Sequence, residues 1–227
     1  MKQKSLKNQI ILCTVLTLLC LLMLVPLVLL ISASFTDSET LYRDGYSILP
    51  HVLSLESYRY ILDMGGSLAH AYLVSVFVTI FGTALSLILT ALMAYPIANR
   101  NFGARRICTF FVFFTMLFNG GMVSTYLVWA RGLHVGNTVW AQIFPGLLLS
   151  AMNIILVKNY FASSIPFELN ESAKIDGAGE FRIFLTIALP LSKPILAAVG
   201  LLTGLGYWNN WTNGYYYVTD AKYQTYQ

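Results

Sequence analysis

AYLVSVFVTIFGTALSLILTALMAYPIA, residues 71–98, contains no Asp, Glu, Lys or Arg. A helix rises about 1.5 Å per residue, so this run is long enough to cross the roughly 30 Å of hydrocarbon in a bilayer. A helix so apolar on all sides belongs in lipid or among other apolar helices. Its small and weakly polar residues follow a pattern. Ser75, Thr79, Gly82, Ser86, Thr90 and Ala94 recur at spacings of three or four and share one face. Such a stripe lets helices pack closely in a membrane. The same stripe would also serve as a polar channel wall.

Four further stretches have the length and apolarity of spans: 10–33, 107–130, 138–157 and 194–211. The whole chain agrees with them. It is 57% hydrophobic and 11% charged, where soluble domains carry about 25% charged residues. The sequence predicts an all-α membrane protein, a polytopic helical bundle forming one domain over 1–227. The first stretch also has features of a secretory signal: Lys2, Lys4 and Lys7 precede it and Ser32-Ala33-Ser34 ends it. Signal cores are about 7–15 apolar residues; this one is longer, and we read it as a retained anchor.

Basic residues set the orientation. With the N-terminus in the cytoplasm, the inner segments hold Lys2, Lys4, Lys7, Arg100, Arg105, Arg106, Lys158, Lys174, Arg182 and Lys193, ten of the 14. The outer segments hold Arg43, Arg59, Arg131 and Lys222. The excess of Lys and Arg belongs inside. Residues 34–70 then form an extracellular loop and 158–193 a cytoplasmic one.

No span carries an ionisable group at its middle. Proton relays and voltage sensors need such groups, so a secondary transporter or gated channel is disfavoured. A neutral, hydroxyl-rich solute, driven by energy from elsewhere, fits better. Cys13, Cys20 and Cys108 sit in apolar runs and do not suggest a disulfide framework. His51, His70 and His134 lack metal-ligand spacing, so no metal is expected. A net charge of +4 gives no argument for nucleic acid. Gly120-Gly121 and Asn119 interrupt the third span, as a local break or packing notch. The fifth ends in Tyr207-Trp208-Asn209-Asn210-Trp211-Thr212-Asn213. An interfacial aromatic belt accounts for the rings. The amides leave open a solute contact through Trp208, Asn209, Asn210 and Trp211.

The cytoplasmic loop is the informative segment. Ser164 is placed to cap a helix with Pro166 in its first turn. Leu169, Ala173 and Phe167 make an apolar stripe, while Glu168, Glu171 and Lys174 stay polar. Gly177 suits a left-handed helix end. A second amphipathic stretch follows with Phe181, Phe184, Leu185 and Ile187, closed by Pro190 and Pro194. A short helix, a glycine turn and a second helix make a docking element for a partner's groove.

Glu171, Ala173, Gly177, Ile187, Leu189 and Pro190 stand at the spacing of the Glu-Ala-Ala signature loop. In that order they resemble the permease subunits of ATP-binding-cassette importers. Ser172 stands where the family usually has a second Ala, and is small enough to keep close approach. The string Glu171-Ser-Ala-Lys-Ile-Asp176-Gly177-Ala178 is similar to the carbohydrate-importer version, which handles oligosaccharides or glycosides. Residues 32–37, 120–126 and 137–141 resemble the same permeases. The resemblance implies a type I importer transmembrane domain that couples to ATPase subunits through Glu171, Ser172, Ala173, Asp176, Gly177, Ile187, Leu189 and Pro190. It also implies a sister permease in a heterodimer, an extracellular solute-binding lipoprotein and a carbohydrate cargo. No Gly-x-x-x-x-Gly-Lys-Ser/Thr loop occurs, so ATP hydrolysis is expected in a partner and no cofactor or catalytic residue here. The family carries a further span after the Trp-rich outer segment. The sequence reading is thus a bundle without its last helix, a fragment or a truncated frame.

Overall fold

A computed structural model describes residues 6–226 of the chain. Lys2, Lys4 and Gln227, and the side chains of Lys7 and Phe167, lie outside the described set. Among the described residues there are helices and one isolated bridge, Thr36 to Leu53. Contacts divide the chain into two compact units, Met1–Leu68 and Ala69–Gln227.

The first unit is built on α1 (Leu6–Ser34), whose most apolar window has no buried residue. A window so apolar and so exposed suits a helix that lipid covers. After it, the side chain of Asp37 accepts from the Thr40 amide at 3.2 Å and caps α2 (Ser38–Asp44). A short α3 (Glu56–Asp63) follows. Ser34 Oγ lies 3.0 Å from the Tyr58 hydroxyl, tying the end of α1 to α3.

In the second unit α4 (Gly65–Ala98) is the long element, at 34 residues. It buries Ser75, Val78, Gly82, Ser86, Thr90, Ala91, Ala94 and Ile97. The small-residue stripe therefore faces protein. Its partner is a later helix: a Cβ at Gly82 would lie 2.7 Å from the Tyr207 ring, and Gly204 abuts Thr83. Close backbone approach is the physical use of those residues.

The next segments are interrupted. α5 (Arg105–Leu117) stops before Asn119, whose Oδ1 accepts from the Gly121 amide at 2.9 Å. Gly121, at φ +76, restarts the chain as α6 (Gly121–Tyr126), which runs into a π-helical turn over Leu127–Gly132. Residues 138–157 are not one helix either. A single turn, α7 (Trp140–Ile143), gives way to Pro145 and Gly146 at φ +76, and α8 (Ala151–Ser164) follows. Proline without an N–H beside a left-handed glycine breaks the ladder there. The freed groups are satisfied from a distant part of the chain: Asn213 Nδ2 donates to Gln142 O at 3.3 Å and to Pro145 O at 3.0 Å.

α9 (Phe167–Ile175) and α10 (Glu180–Ile183) flank a turn. α10 continues as a π-helical stretch, Phe184–Ala188, and α11 (Leu189–Leu191). Pro190 has no N–H for the Thr186 carbonyl and crowds it, a known origin of such bulges. A 78° bend then leads into α12 (Lys193–Trp208), followed by α13 (Trp211–Tyr217). The main core joins α4, α5, α8, the π-helical stretch Phe184–Ala188 and α12 through Ala94, Val112, Val157, Phe161, Phe184 and Val199. By length and composition two helices can cross a membrane, or three if the bent pair counts as one span.

Candidate functional site

The helix–turn–helix over 166–190 places the expected residues as follows. Ser164 is the last residue of α8, and the N-cap of α9 is Pro166, with no side-chain cap bond. α8 simply continues to Ser164. Ile165 is then extended, as the residue before a proline must be.

Glu171, Ser172 and Ala173 lie in the middle of α9 and Asp176 is its C-cap. Gly177 has φ +79. Its amide donates to Lys174 O at 3.0 Å, and the Ala178 amide donates to Ala173 O at 2.9 Å. This double closure is the Schellman arrangement, which needs a left-handed residue at the glycine. A Cβ at Gly177 would meet nothing within 4 Å, so backbone conformation rather than space selects glycine.

Lys174 Nζ lies 2.9 Å from Glu180 Oε1 and 3.9 Å from Glu171. The hydrogen bond to Glu180 raises the Lys174 pKa above the ordinary lysine value. The other oxygen of Glu180 accepts from the Tyr95 hydroxyl at 3.1 Å, on α4. The turn is thus tied to the long helix by three side chains. Beside the link an open groove of about 460 Å³ runs between Leu92, Pro96, Phe102 and Phe181. Ile175 is 86% exposed and Phe181 66%. Apolar side chains left bare on either side of a rigid turn form a ready contact surface for another protein. Ile187 and Leu189 are half-buried on the stretch leading to α12, and Pro190 is exposed.

Sequence reasoning missed Tyr95 and Glu180. A signal existed for half of this: Lys174 and Glu180 stand three residues to either side of Gly177. A tight turn at the glycine brings two such residues together. Nothing local announces Tyr95, which is 85 residues from its partner.

The aromatic end of the fifth stretch is a separate region. Trp208 packs against Tyr226, with centroids 5.2 Å apart. Asn209 Nδ2 donates to Leu205 O at 2.9 Å. Asn210 Oδ1 accepts from the Asn213 amide at 3.3 Å and caps α13. Both amides therefore have local uses at helix ends. Trp211 is exposed, with its edge on Tyr215.

An apolar helical bundle that exposes a helix–turn–helix is the architecture of a membrane subunit with a surface free for another protein. Residues 64–220 match the family described as binding-protein-dependent transport system inner membrane component. The chain belongs to that family: it is a membrane-embedded permease subunit of an ATP-binding-cassette importer, with a type I importer fold, and not a catalytic enzyme. It is 40% identical over 206 residues to the polygalacturonan/rhamnogalacturonan transport system permease protein YtcP of Bacillus subtilis (strain 168), covering 91% of this chain and 71% of that one. It is 39% identical to protein LplC of the same organism, covering 87% of this chain and 66% of that one. It is 33% identical to the arabinooligosaccharides transport system permease protein AraQ of Halalkalibacterium halodurans, covering 82% and 67%. A crystal structure of a bacterial ABC transporter involved in the import of the acidic polysaccharide alginate superposes with a TM-score of 0.85 at 28% identity, covering 98% of this chain and 79% of that one. The chain thus spans about two thirds of the length of the curated relatives.

Proposed function

We propose that this permease lines the route of an oligosaccharide or glycoside into the cell and receives its driving force through the turn at Gly177. The observation that carries the coupling is the pair of bonds at Glu180, to Lys174 at 2.9 Å and from Tyr95 at 3.1 Å. Displacing α9 would then pull on α4, whose small-residue face packs on α12. Glu171 makes a polar contact in the groove of an ATPase subunit, and Ser172 and Ala173 allow close approach. Asp176 and Gly177 set the turn. Ile187, Leu189 and Pro190 carry the motion to the 78° bend before α12. ATP binding and hydrolysis occur in the partner.

The cargo reading rests on the named relatives, whose substrates are polygalacturonan or rhamnogalacturonan and arabinooligosaccharides, and on the alginate importer. All are polyhydroxylated saccharides. A sister permease, two ATPase subunits and an extracellular solute-binding lipoprotein complete the assembly. The segments 10–33, 71–98, 107–130, 138–157 and 194–211 cross the plasma membrane with the N-terminus inside, as the distribution of Lys and Arg supports. Trp208, Asn209, Asn210 and Trp211 remain candidates for solute contact at the outer end.

The test is co-purification of the ATPase subunit of the same system with the Ile175→Ser/Phe181→Ser variant. Both side chains are exposed, so insertion should be unchanged while ATPase recovery falls severalfold. Undiminished recovery would remove the turn from the docking surface.

A further inference from the structure

We propose that the loop between α4 and α5, the N-terminal half of α5 and Lys158 of α8 form a binding site for the phosphate headgroup of an anionic phospholipid. The site is a cavity of about 800 Å³ lined by Arg100, Arg105, Arg106 and Lys158, with Thr109 and the rings of Phe110 and Phe113 on one wall. No carboxylate of the described residues lines it. Among the described residues none of the four cations makes an ion pair. Glu168 lines the adjoining cavity, which Arg100 and Arg105 also reach, but lies in no ion pair with them. Four like charges gathered without a counter-charge repel one another, and an anion among them removes that penalty.

The local backbone points the same way. Arg105 and Arg106 open α5, whose first turn has no acidic residue and whose N-cap, Ala104, supplies no side-chain bond. Cations at a helix N-terminus oppose the dipole, and a phosphate there suits both.

The wall of the cavity selects a lipid rather than a free anion. Arg105, Thr109 and Phe113 stand at i, i+4 and i+8, and Arg106 and Phe110 at i and i+4. The charged rim therefore runs up α5 into exposed phenyl rings, Phe110 being 62% and Phe113 44% exposed. From Arg106 to Phe113 this strip is about 10 Å long at helical rise. A phosphate at the rim places its acyl chains along that strip. Basic pockets between helices at a membrane face hold lipid headgroups by this chemistry. The inference rests on the membrane embedding of α5 proposed above.

The test places the full chain in nanodiscs of phosphatidylcholine with or without phosphatidylglycerol and counts retained lipids by native mass spectrometry. Wild type is expected to retain phosphatidylglycerol in preference to phosphatidylcholine. Arg105→Gln/Arg106→Gln/Lys158→Gln should weaken retention by about fivefold for each cation removed, and Arg182→Gln, outside the cavity, should not. Should the triple variant fail to fold, the exposed single change Arg106→Gln gives the fivefold loss and Arg106→Lys restores retention. Equal retention by wild type and Arg106→Gln overturns the site. So does displacement of the lipid by inorganic phosphate at matched concentration, which would make it a free-anion site. Embedding is read separately by a water-soluble maleimide on Leu117→Cys in a chain whose native cysteines are serine. Labelling there removes the embedding and the proposal with it; protection with unchanged retention removes the lipid site alone.

Discussion

Lys174 Nζ and Glu180 Oε1 meet at 2.9 Å across the turn at Gly177, closing the helix–turn–helix with an ion pair. Both side chains are partly exposed, so the pair contributes at most about 1 kcal/mol. Its value is in holding one geometry. Lys174→Met should leave insertion and thermal stability close to wild type and loosen the turn. Exchange of the Ala178 amide, bonded to Ala173 O, reports that loosening. Because the folded-state pKa of Lys174 is raised, the contribution is fully present below the ordinary lysine value and is lost only as pH rises through the raised one. Lys174 therefore stays charged around neutral pH, and the protection it lends the Ala178 amide should not change with pH there. A marked loss of protection between about pH 7 and 9, well below the lysine value, would contradict the assignment.

Gly177 gives a graded series. Its φ of +79 and the empty space around it mean that a side chain meets no neighbour but sits in a left-handed backbone. Gly177→Ala should destabilise the turn by about 1–2 kcal/mol. Gly177→Asn and Gly177→Asp should cost less, because short polar side chains tolerate that region better. Gly177→Val should cost most. Transport in proteoliposomes containing the whole importer should fall in the order Gly, Asn or Asp, Ala, Val at equal protein levels. A variant series without that order would mean that the turn does not limit coupling.

What could be read from the sequence was what has a period or a local backbone demand. The spacing of Ser75, Gly82, Ser86, Thr90 and Ala94 gave the buried face of α4. Gly177 announced a left-handed turn because few other residues adopt one. The break before α8 escaped because Pro145 and Gly146 lie within a run that is apolar on average over its length. Their effect is on hydrogen bonding, which hydropathy does not register. Asn209 and Asn210 were read as candidate solute ligands from their chemistry, yet both amides bond to nearby backbone. The Tyr95–Glu180 bond depends on how α4 and α10 pack, and no local pattern encodes it.

Gly82 and Tyr207 test the packing of α4 on α12. A Cβ at Gly82 would approach three atoms of the Tyr207 ring at 2.7–3.0 Å. The ring is fixed because its buried hydroxyl donates to Ile143 O at 3.0 Å. Gly82→Ala should therefore destabilise the protein by about 1–3 kcal/mol through overpacking. Tyr207→Phe should cost about 1 kcal/mol by leaving the carbonyl unpaired. Combining Gly82→Ala with Tyr207→Phe should bring no relief, since the ring remains, whereas Gly82→Ala with Tyr207→Leu should recover part of the loss. Thermal unfolding in detergent distinguishes these outcomes. Additive losses in both combinations would show that the two residues do not touch.

Tyr95 separates docking from transmission. Its hydroxyl is the described hydrogen bond between α4 and Glu180, and its ring packs on Phe161 and Phe184. Tyr95→Phe keeps the ring and removes only the bond, which is part-exposed and worth about 1 kcal/mol. Stability should fall by no more than that, and recovery of the ATPase subunit should be unchanged. Saccharide taken up per ATP hydrolysed should fall, because displacement of α9 and α10 would reach α4 through side-chain packing alone. Glu180→Gln should be more damaging, since it weakens the bonds to both Tyr95 and Lys174. If Tyr95→Phe retains wild-type uptake per ATP while Glu180→Gln loses it, force passes through the turn and its 78° bend into α12 rather than through α4.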